Sequence, residues 1–197
     1  MRTKWFMILA LAGLVWGCSP ATQLTKSWVD PNLNASNIKP FTKVLVIARI
    51  KDATGNRIAE DDIVKQMKCP AVQSYQYLEA GDSVQSVVDA KLKKDGFDGV
   101  IVMKLTNVNK SLDYQPGYSY GGWYGYRYGS PGYLSVDQTF YVETSIYSLV
   151  TGKLVWSGVT SSLNPTDLEQ TLGEIITAIK NDLVQKGLIK PDVTPGK

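Results

Sequence analysis

Lys43-Val44-Leu45-Val46-Ile47-Ala48-Arg49-Ile50 is a near-continuous aliphatic run, and it is the best strand in the chain. Apolar residues at consecutive positions mark a central strand covered on both faces, because both pleat surfaces must then be dry. A turn at Asp52-Ala53-Thr54-Gly55 leads from it to a predicted helix over 57–68, with Ile58, Ile63, Val64 and Met67 inward. Glu60, Asp61 and Asp62 fall early in that helix, where they suit the positive end of the helix dipole and a solvated face better than catalysis or metal binding. Ala71 to Leu78 reads as a short strand. Asp82-Ser83-Val84-Gln85 then reads as a cap with Gln three residues on, opening a helix to about Lys94 that buries Val84, Val87, Val88 and Leu92. Gly96 is the expected C-terminal stop of that helix.

Asp98 to Leu105 is a further strand, and Val136 to Val150 with Leu154 to Ser161 form a hairpin through Thr151-Gly152-Lys153. In its first arm Phe140, Val142, Thr144, Ile146 and Ser148 alternate with Tyr141, Glu143, Ser145 and Tyr147, which puts the aliphatic set on the core face. Leu154, Trp156 and Gly158 share one face of the returning arm. The last helix starts at Asn164-Pro165 or at Thr166-Asp167-Leu168-Glu169, and its stripe of Leu168, Leu172, Ile175, Ile176, Ile179 and Leu183 is the cleanest helical period in the chain. Gly187 ends it. The order predicts one mixed α/β domain over 41–189, of about five strands packed by three helices, with a loose tail over 190–197 and no internal repeat.

The N-terminal residues carry a different message. Arg2 and Lys4 precede an uncharged apolar run from Trp5 to Trp16, about 18 Å long as a helix at ~1.5 Å per residue. A bilayer core of ~30 Å needs about 20 such residues, so this run does not span. Val15-Trp16-Gly17-Cys18 resembles the bacterial lipobox, although Trp16 stands where a small residue is usual. The resemblance implies a signal peptide over 1–17, fatty-acyl chains such as palmitate on Cys18, and membrane attachment through that lipid. An ordinary secretory signal with an incidental cysteine is the alternative. Ser19 in place of Asp suggests, by likeness to sorting in Gram-negative bacteria, the outer membrane and a domain facing the periplasm. Residues 18–40 are polar and carry Pro20, Pro31 and Pro40, which predicts an extended tether, with Trp28 and Val29 docking on the domain as a short edge strand.

Composition excludes several classes of function. Beyond residue 17 the chain carries 19 Lys and Arg against 18 Asp and Glu, so it lacks the basic footprint that nucleic acid requires. Cys69 is the one cysteine besides Cys18, which excludes an intrachain disulfide if Cys18 bears lipid; before Pro70 it reads as a small hydrophobe at a helix boundary. The chain has no histidine, which removes the usual general base and the commonest zinc ligand. Gly117-Tyr118-Ser119-Tyr120-Gly121 matches G-x-S-x-G, but a nucleophile elbow needs a triad histidine and a strand-to-helix turn. No cofactor or metal motif is present in the sequence.

Residues 114–133 read Y-Q-P-G-Y-S-Y-G-G-W-Y-G-Y-R-Y-G-S-P-G-Y, with seven of the eleven tyrosines, Trp123, six glycines and Arg127 as the only charge. Glycine and proline oppose regular structure here, while so many aromatics exceed what a solvated loop needs. Tyrosine offers a stacking face and a hydroxyl with few torsions to freeze, which suits an adaptable binding surface. Tyr118, Tyr120, Trp123, Tyr124, Tyr126, Arg127 and Tyr128 are the candidate partner-binding residues. A low-complexity segment without a ligand is the bland alternative.

The strand K-V-L-V-I-A, the strand F-D-G-V-I-V-M, the hairpin S-I-Y-S-L-V-T-G-K-L-V-W-S-G and the closing amphipathic helix resemble small bacterial envelope lipoproteins of unassigned function. Their fold is similar to the α/β domain of the curli-secretion lipoprotein, of the outer-membrane activators of penicillin-binding proteins, and of the N-terminal part of the Tol translocation protein. The resemblance covers about residues 41–189. It implies a non-enzymatic envelope protein that binds a protein or glycan partner, or else a structural subunit of an oligomeric envelope or secretion assembly. The curli-type pore uses a long amphipathic hairpin, and the insert, without alternation, does not match that device. A cell-wall hydrolase would have to rest on carboxylates such as Glu143 or Asp98.

Overall fold

A computed structural model describes residues 21–33, 39–79, 85–115, 119–121, 127–129 and 133–191, with the backbone alone at 85–87 and 113–134. Strands β1 (Thr22–Val29), β2 (Val44–Arg49), β3 (Ala71–Gln73), β4 (Gly99–Gln115), β7 (Tyr133–Ser148) and β8 (Lys153–Leu163) make one six-stranded sheet in the order β1-β8-β7-β4-β2-β3. Strands β5 (Ser119–Gly121) and β6 (Arg127–Gly129) pair separately. Helices are α1 (Ala53–Gln66), α2 (Ser74–Tyr77), α3 (Gln85–Lys94) and α4 (Leu168–Gln185). The mixed α/β class is as the sequence predicts, with six strands in the main sheet and four helices among the described residues in place of about five and three.

β2 lies between β3 and β4, parallel to both, as its two-sided apolar run requires. Val44, Val46 and Ala48 face α1 and α4 in a core with Ile63, Leu172, Ile175 and Trp156. Leu45 and Ile47 face the other way, under Leu92, Val88 and Phe97. The α4 stripe is buried at Leu172, Ile175, Ile176, Ile179 and Leu183. Asp167 caps this helix, accepting from the Gln170 amide at 2.7 Å; of the two starts the sequence offered, the second is the one used. Gly187, at φ 69°, ends it, with the Leu188 amide donating back to the Leu183 carbonyl.

In the body of the fold the structure departs from the sequence reading in four places. Asp52 to Gly55 is no separate turn: Asp52 caps α1, accepting from the Gly55 amide at 2.8 Å. Glu60 is not on a solvated face, being only 2 % exposed. It takes the Ala48 amide at 2.9 Å, the Ser74 hydroxyl at 2.7 Å and the Tyr75 amide at 3.3 Å. Because β3 stops at Gln73, the carboxylate of Glu60 supplies the acceptor that a longer β3 would have offered to β2, and the α1 phase that buries Ala59 and Ile63 carries Glu60 inward with them. The strand expected over 71–78 ends early for the same reason, its second half winding into α2.

The fourth departure is the tether. Residues 22–29 form β1, which pairs antiparallel with β8 from Thr22↔Ser162 to Val29↔Trp156. The expected contact at Trp28 and Val29 is the C-terminal end of an eight-residue strand. A bulge between Leu24 and Lys26 breaks the period of two, so the inward residues Thr22, Leu24, Ser27 and Val29 show no continuous alternation in the sequence. The caps expected at Asp82 to Val84, and Val87 as a buried side chain, lie outside what is described.

Trp156 is fully buried and its ring lies over Gly158, where a Cβ would sit 2.5 Å from the indole. Gly158→Ala is expected to cost about 1–3 kcal/mol through overpacking, whereas Gly173→Ala in α4, with nothing within 4 Å of the new methyl, should be neutral or gain about 0.5–1 kcal/mol. Urea unfolding of the two variants checks the contrast.

Candidate functional site

β4 and β7 are the longest of the described strands, at 17 and 16 residues, and they pair from Gly99↔Ser148 to Gln115↔Tyr133 with one bulge between Leu105 and Asn107 that shifts the register by a residue. β2 accompanies β4 only to Lys104, and β8 accompanies β7 only as far as the pair Thr139↔Leu163. Beyond those points the two arms continue as a two-stranded ribbon. Asn164, at φ 46°, ends the β8 pairing: its amide donates to the Gln138 carbonyl at 2.8 Å and its side chain accepts from the Gln138 amide at 2.7 Å. Its amide side chain also donates to Asp137 at 2.9 Å.

The ribbon carries the aromatic insert at its far end. Glycine and proline there were expected to oppose regular structure, yet Ser119↔Gly129, Tyr120↔Tyr128 and Gly121↔Arg127 pair antiparallel in β5 and β6. The long arms bring the two halves of the insert face to face, which supplies the ordering that local propensity does not. Of the candidate residues, Tyr120, Arg127 and Tyr128 are thus brought together on adjacent strands. Tyr118, Trp123, Tyr124 and Tyr126 lie outside the described residues, as does Cys18.

Sequence reasoning found the stem in β7, read as a hairpin arm from Val136, and missed its partner in β4. Residues 106–113 read T-N-V-N-K-S-L-D and look like a polar loop. The register shows otherwise: Val108↔Phe140, Lys110↔Gln138 and Leu112↔Val136 fall on the face that carries Met103, Leu105 and Val142 in the core, while Asn107, Asn109 and Ser111 alternate with them on the other face. Leu112 is 74 % and Val136 52 % exposed. The alternation that the insert lacks is present in its stems, and a period of two over 107–112 and 135–140 was the signal.

The N-terminal end of the described chain is fastened at the same end of the sheet. The Thr22 and Ser162 hydroxyls are 2.8 Å apart and buried. Asp182 of α4, with its side chain 13 % exposed, then ties three elements together. It accepts from the Trp156 indole at 2.8 Å, from Ser27 of β1 at 3.1 Å and from Lys186 at 3.0 Å, and Lys186 also donates to Ser27. Burial pushes the Asp182 pKa up, but the hydrogen bonds from Trp156, Lys186 and Ser27 outweigh it, leaving the group below the usual aspartate value.

The two carboxylates named for a hydrolase have structural partners. Asp98 accepts from the Thr42 amide and hydroxyl, each at 2.8 Å, and from the Lys43 amide at 3.1 Å. Glu143 lies on the outer sheet face within 3.4 Å of the Ser157 hydroxyl. Cys69 is half-buried against the core, and desolvation raises its thiol pKa, the direction of a packing residue and not a nucleophile. Among the described residues no group of three His, Cys, Asp or Glu is placed to hold a metal ion, and no helix is long and apolar enough to cross a membrane.

No family model and no curated protein matches the chain. Solved structures do. A PelC dodecamer from Paraburkholderia phytofirmans is similar over 86 % of this chain and 99 % of its own, at 11 % identity and a TM-score of 0.43. Lipoprotein GNA1162 from Neisseria meningitidis is similar over 73 % of this chain and 99 % of its own, at 13 % identity and a TM-score of 0.42. TolB from Acinetobacter baumannii is similar over 83 % of this chain, which spans 31 % of TolB, at 12 % identity and a TM-score of 0.39. A lipoprotein and a Tol protein are among the proteins that the sequence resembles; at TM-scores below 0.5 the likenesses carry no argument for what this chain does.

Because Asp182 has a lowered folded pKa, its contribution is present above the unfolded aspartate value of ~3.9 and is lost as pH falls through the folded value. The stability difference between the wild type and Asp182→Asn should therefore be largest at neutral pH and shrink below about pH 4. Urea unfolding across a pH series reads it, and a difference that does not change with pH would remove Asp182 from this role.

Proposed function

We propose that the chain is a lipid-anchored, non-enzymatic protein of the cell envelope, in which Cys18 is acylated after removal of residues 1–17. The α/β body holds an aromatic ribbon tip that binds an envelope protein or glycan. The observation that supports this reading is the pairing Tyr120↔Tyr128 beside Arg127 at the end of arms that outrun the rest of the sheet. Strand pairing that already sets the two tyrosines side by side reduces the entropy lost when a partner is captured. Residues 18–21 are left as the short lead from the lipid to the sheet, and the placement is the outer membrane with the domain toward the periplasm. No cofactor and no nucleic acid enter this reading.

The second reading, a structural subunit of an oligomeric envelope assembly, is favoured by one observation: past Lys104, β4 has no strand on its outer side among the described residues. An open edge of that length is a template for pairing with another chain. The size of the intact lipoprotein in mild detergent separates the two readings.

The tip is tested with Tyr120→Ala, Arg127→Ala and Tyr128→Ala combined in the lipidated chain. Crosslinked capture is run separately against envelope proteins and against purified peptidoglycan. Capture should fall at least about tenfold, since aromatic and arginine anchors contribute about 2 kcal/mol each when truncated, and the urea midpoint should stay unchanged. Undiminished capture in both arms would make the tip passive.

A further inference from the structure

The stems of the ribbon point to a use that is separate from its tip. We infer that they form a lipid-docking face, in which Val108, Phe140, Leu112 and Val136 seat on the membrane leaflet that carries the acyl chains of Cys18. The inference rests on the anchor of the proposed function and is independent of the partner bound by the tip.

Three observations carry it. The first is the register across four strands: Val108 pairs with Phe140, Phe140 with Ser162, and Ser162 with Thr22. β1, the first described strand, therefore begins in the row where the ribbon leaves the sheet. Strands are ~4.8 Å apart, so Thr22 lies about 14 Å across from Val108, and Cys18, four residues earlier, reaches at most about 14 Å from Thr22 at ~3.6 Å per residue. A leaflet that holds Cys18 by its acyl chains is within reach of the stems, and the arm Asn109–Gln115 extends about 23 Å along it at ~3.3 Å per residue.

The second is the chemistry of the two faces. One offers Val108, Leu112, Val136 and Phe140, with Leu112 and Val136 74 % and 52 % exposed. Its single charge among these pairs is Lys110, opposite Gln138, and lysine can lay its methylenes along an apolar surface while its ammonium meets a phosphate. The opposite face carries Asn109, Ser111, Asp137 and Thr139, and at its base Asn107 opposite Tyr141, so beyond that first pair it is wholly polar. The insert beyond holds seven tyrosines and one tryptophan with Arg127 as its only charge, the composition favoured at the membrane–water boundary.

The third sets the depth. Among the described residues the outer edge of β4 has no strand beside it after Lys104, and an open strand edge cannot enter hydrocarbon without leaving backbone groups unsatisfied. A single ribbon is thus held at the headgroup level. Crossing would need neighbouring copies to close the edge.

The test uses the full lipidated chain in vesicles of phosphatidylethanolamine and phosphatidylglycerol, with Cys69→Ala to remove the free thiol and a mass measurement of the acylated N-terminus. An environment-sensitive fluorophore is placed in turn at Leu112→Cys, Val136→Cys, Ser111→Cys and Thr139→Cys. The expected result is a blue shift at 112 and 136 and several-fold stronger quenching there by lipids spin-labelled near the headgroup than at 111 and 139. Equal quenching on both faces overturns the proposal. Strong quenching on both faces by lipids labelled deep in the chain does so too, because it means crossing. Shielding of 112 and 136 that appears without vesicles and grows with protein concentration assigns the face to a second copy. A mass without acyl groups removes both the anchor and this inference, whereas loss of capture by the tip variants with intact quenching leaves this inference standing.

Discussion

Trp156 and the carboxylate beneath it organise the half of the molecule that bears the ribbon. The indole is fully buried, its ring fills the space over Gly158, and its N–H goes to Asp182. A buried indole donor without an acceptor would cost about 1–3 kcal/mol, so α4 must approach β8 at the turn that presents Asp182. The same carboxylate takes Ser27 of β1. One side chain thereby fixes the helix on the sheet and the edge strand on β8, and through Thr22 and Ser162 it determines where the N-terminal lead enters the body.

How much of this was legible depended on whether a pattern ran uninterrupted. The aliphatic run at Val44 to Ala48 and the α4 stripe from Leu172 to Leu183 are unbroken, and both took the predicted form. β1 was not legible as eight residues because the bulge after Leu24 shifts the inward phase. Glu60 was misread because its acidic neighbours Asp61 and Asp62 give the look of a solvated cluster, while the helical phase shared with Ala59 and Ile63 places it inside. The requirement it meets, an acceptor for the Ala48 amide, arises only once β3 is known to stop at Gln73.

The β4 stem of the ribbon was lost for a different reason, although its β7 partner was read as a strand from Val136. Asn, Lys and Ser fill the outward positions from Asn107 to Ser111, so composition alone suggests a loop, and a bulge between Leu105 and Asn107 again cuts the alternation at its start. Glycine and proline in the insert point the same way. What overrides them is pairing already established in the core, where Ile101, Met103 and Val142 are buried and fix the register of both arms. Once register is fixed at the base, each further pair closes a loop that is already nearly closed, and extension costs little.

That economy has a limit, and it explains why the free part of the ribbon needs something to lie against. A two-stranded hairpin alone is marginal in water, and past Thr139 the arms pair with neither β8 nor β2. The apolar positions Leu112 and Val136 bring only part of their possible stabilisation while they stay 74 % and 52 % exposed. Covering what remains exposed would contribute roughly 1–2 kcal/mol at each, a fraction of the ~1.5–3 kcal/mol for complete burial and comparable to or larger than a cross-strand pair. The body is stable through Trp156, Asp182 and the α4 stripe without that cover, so contact at the ribbon can be made and released while the fold stays intact.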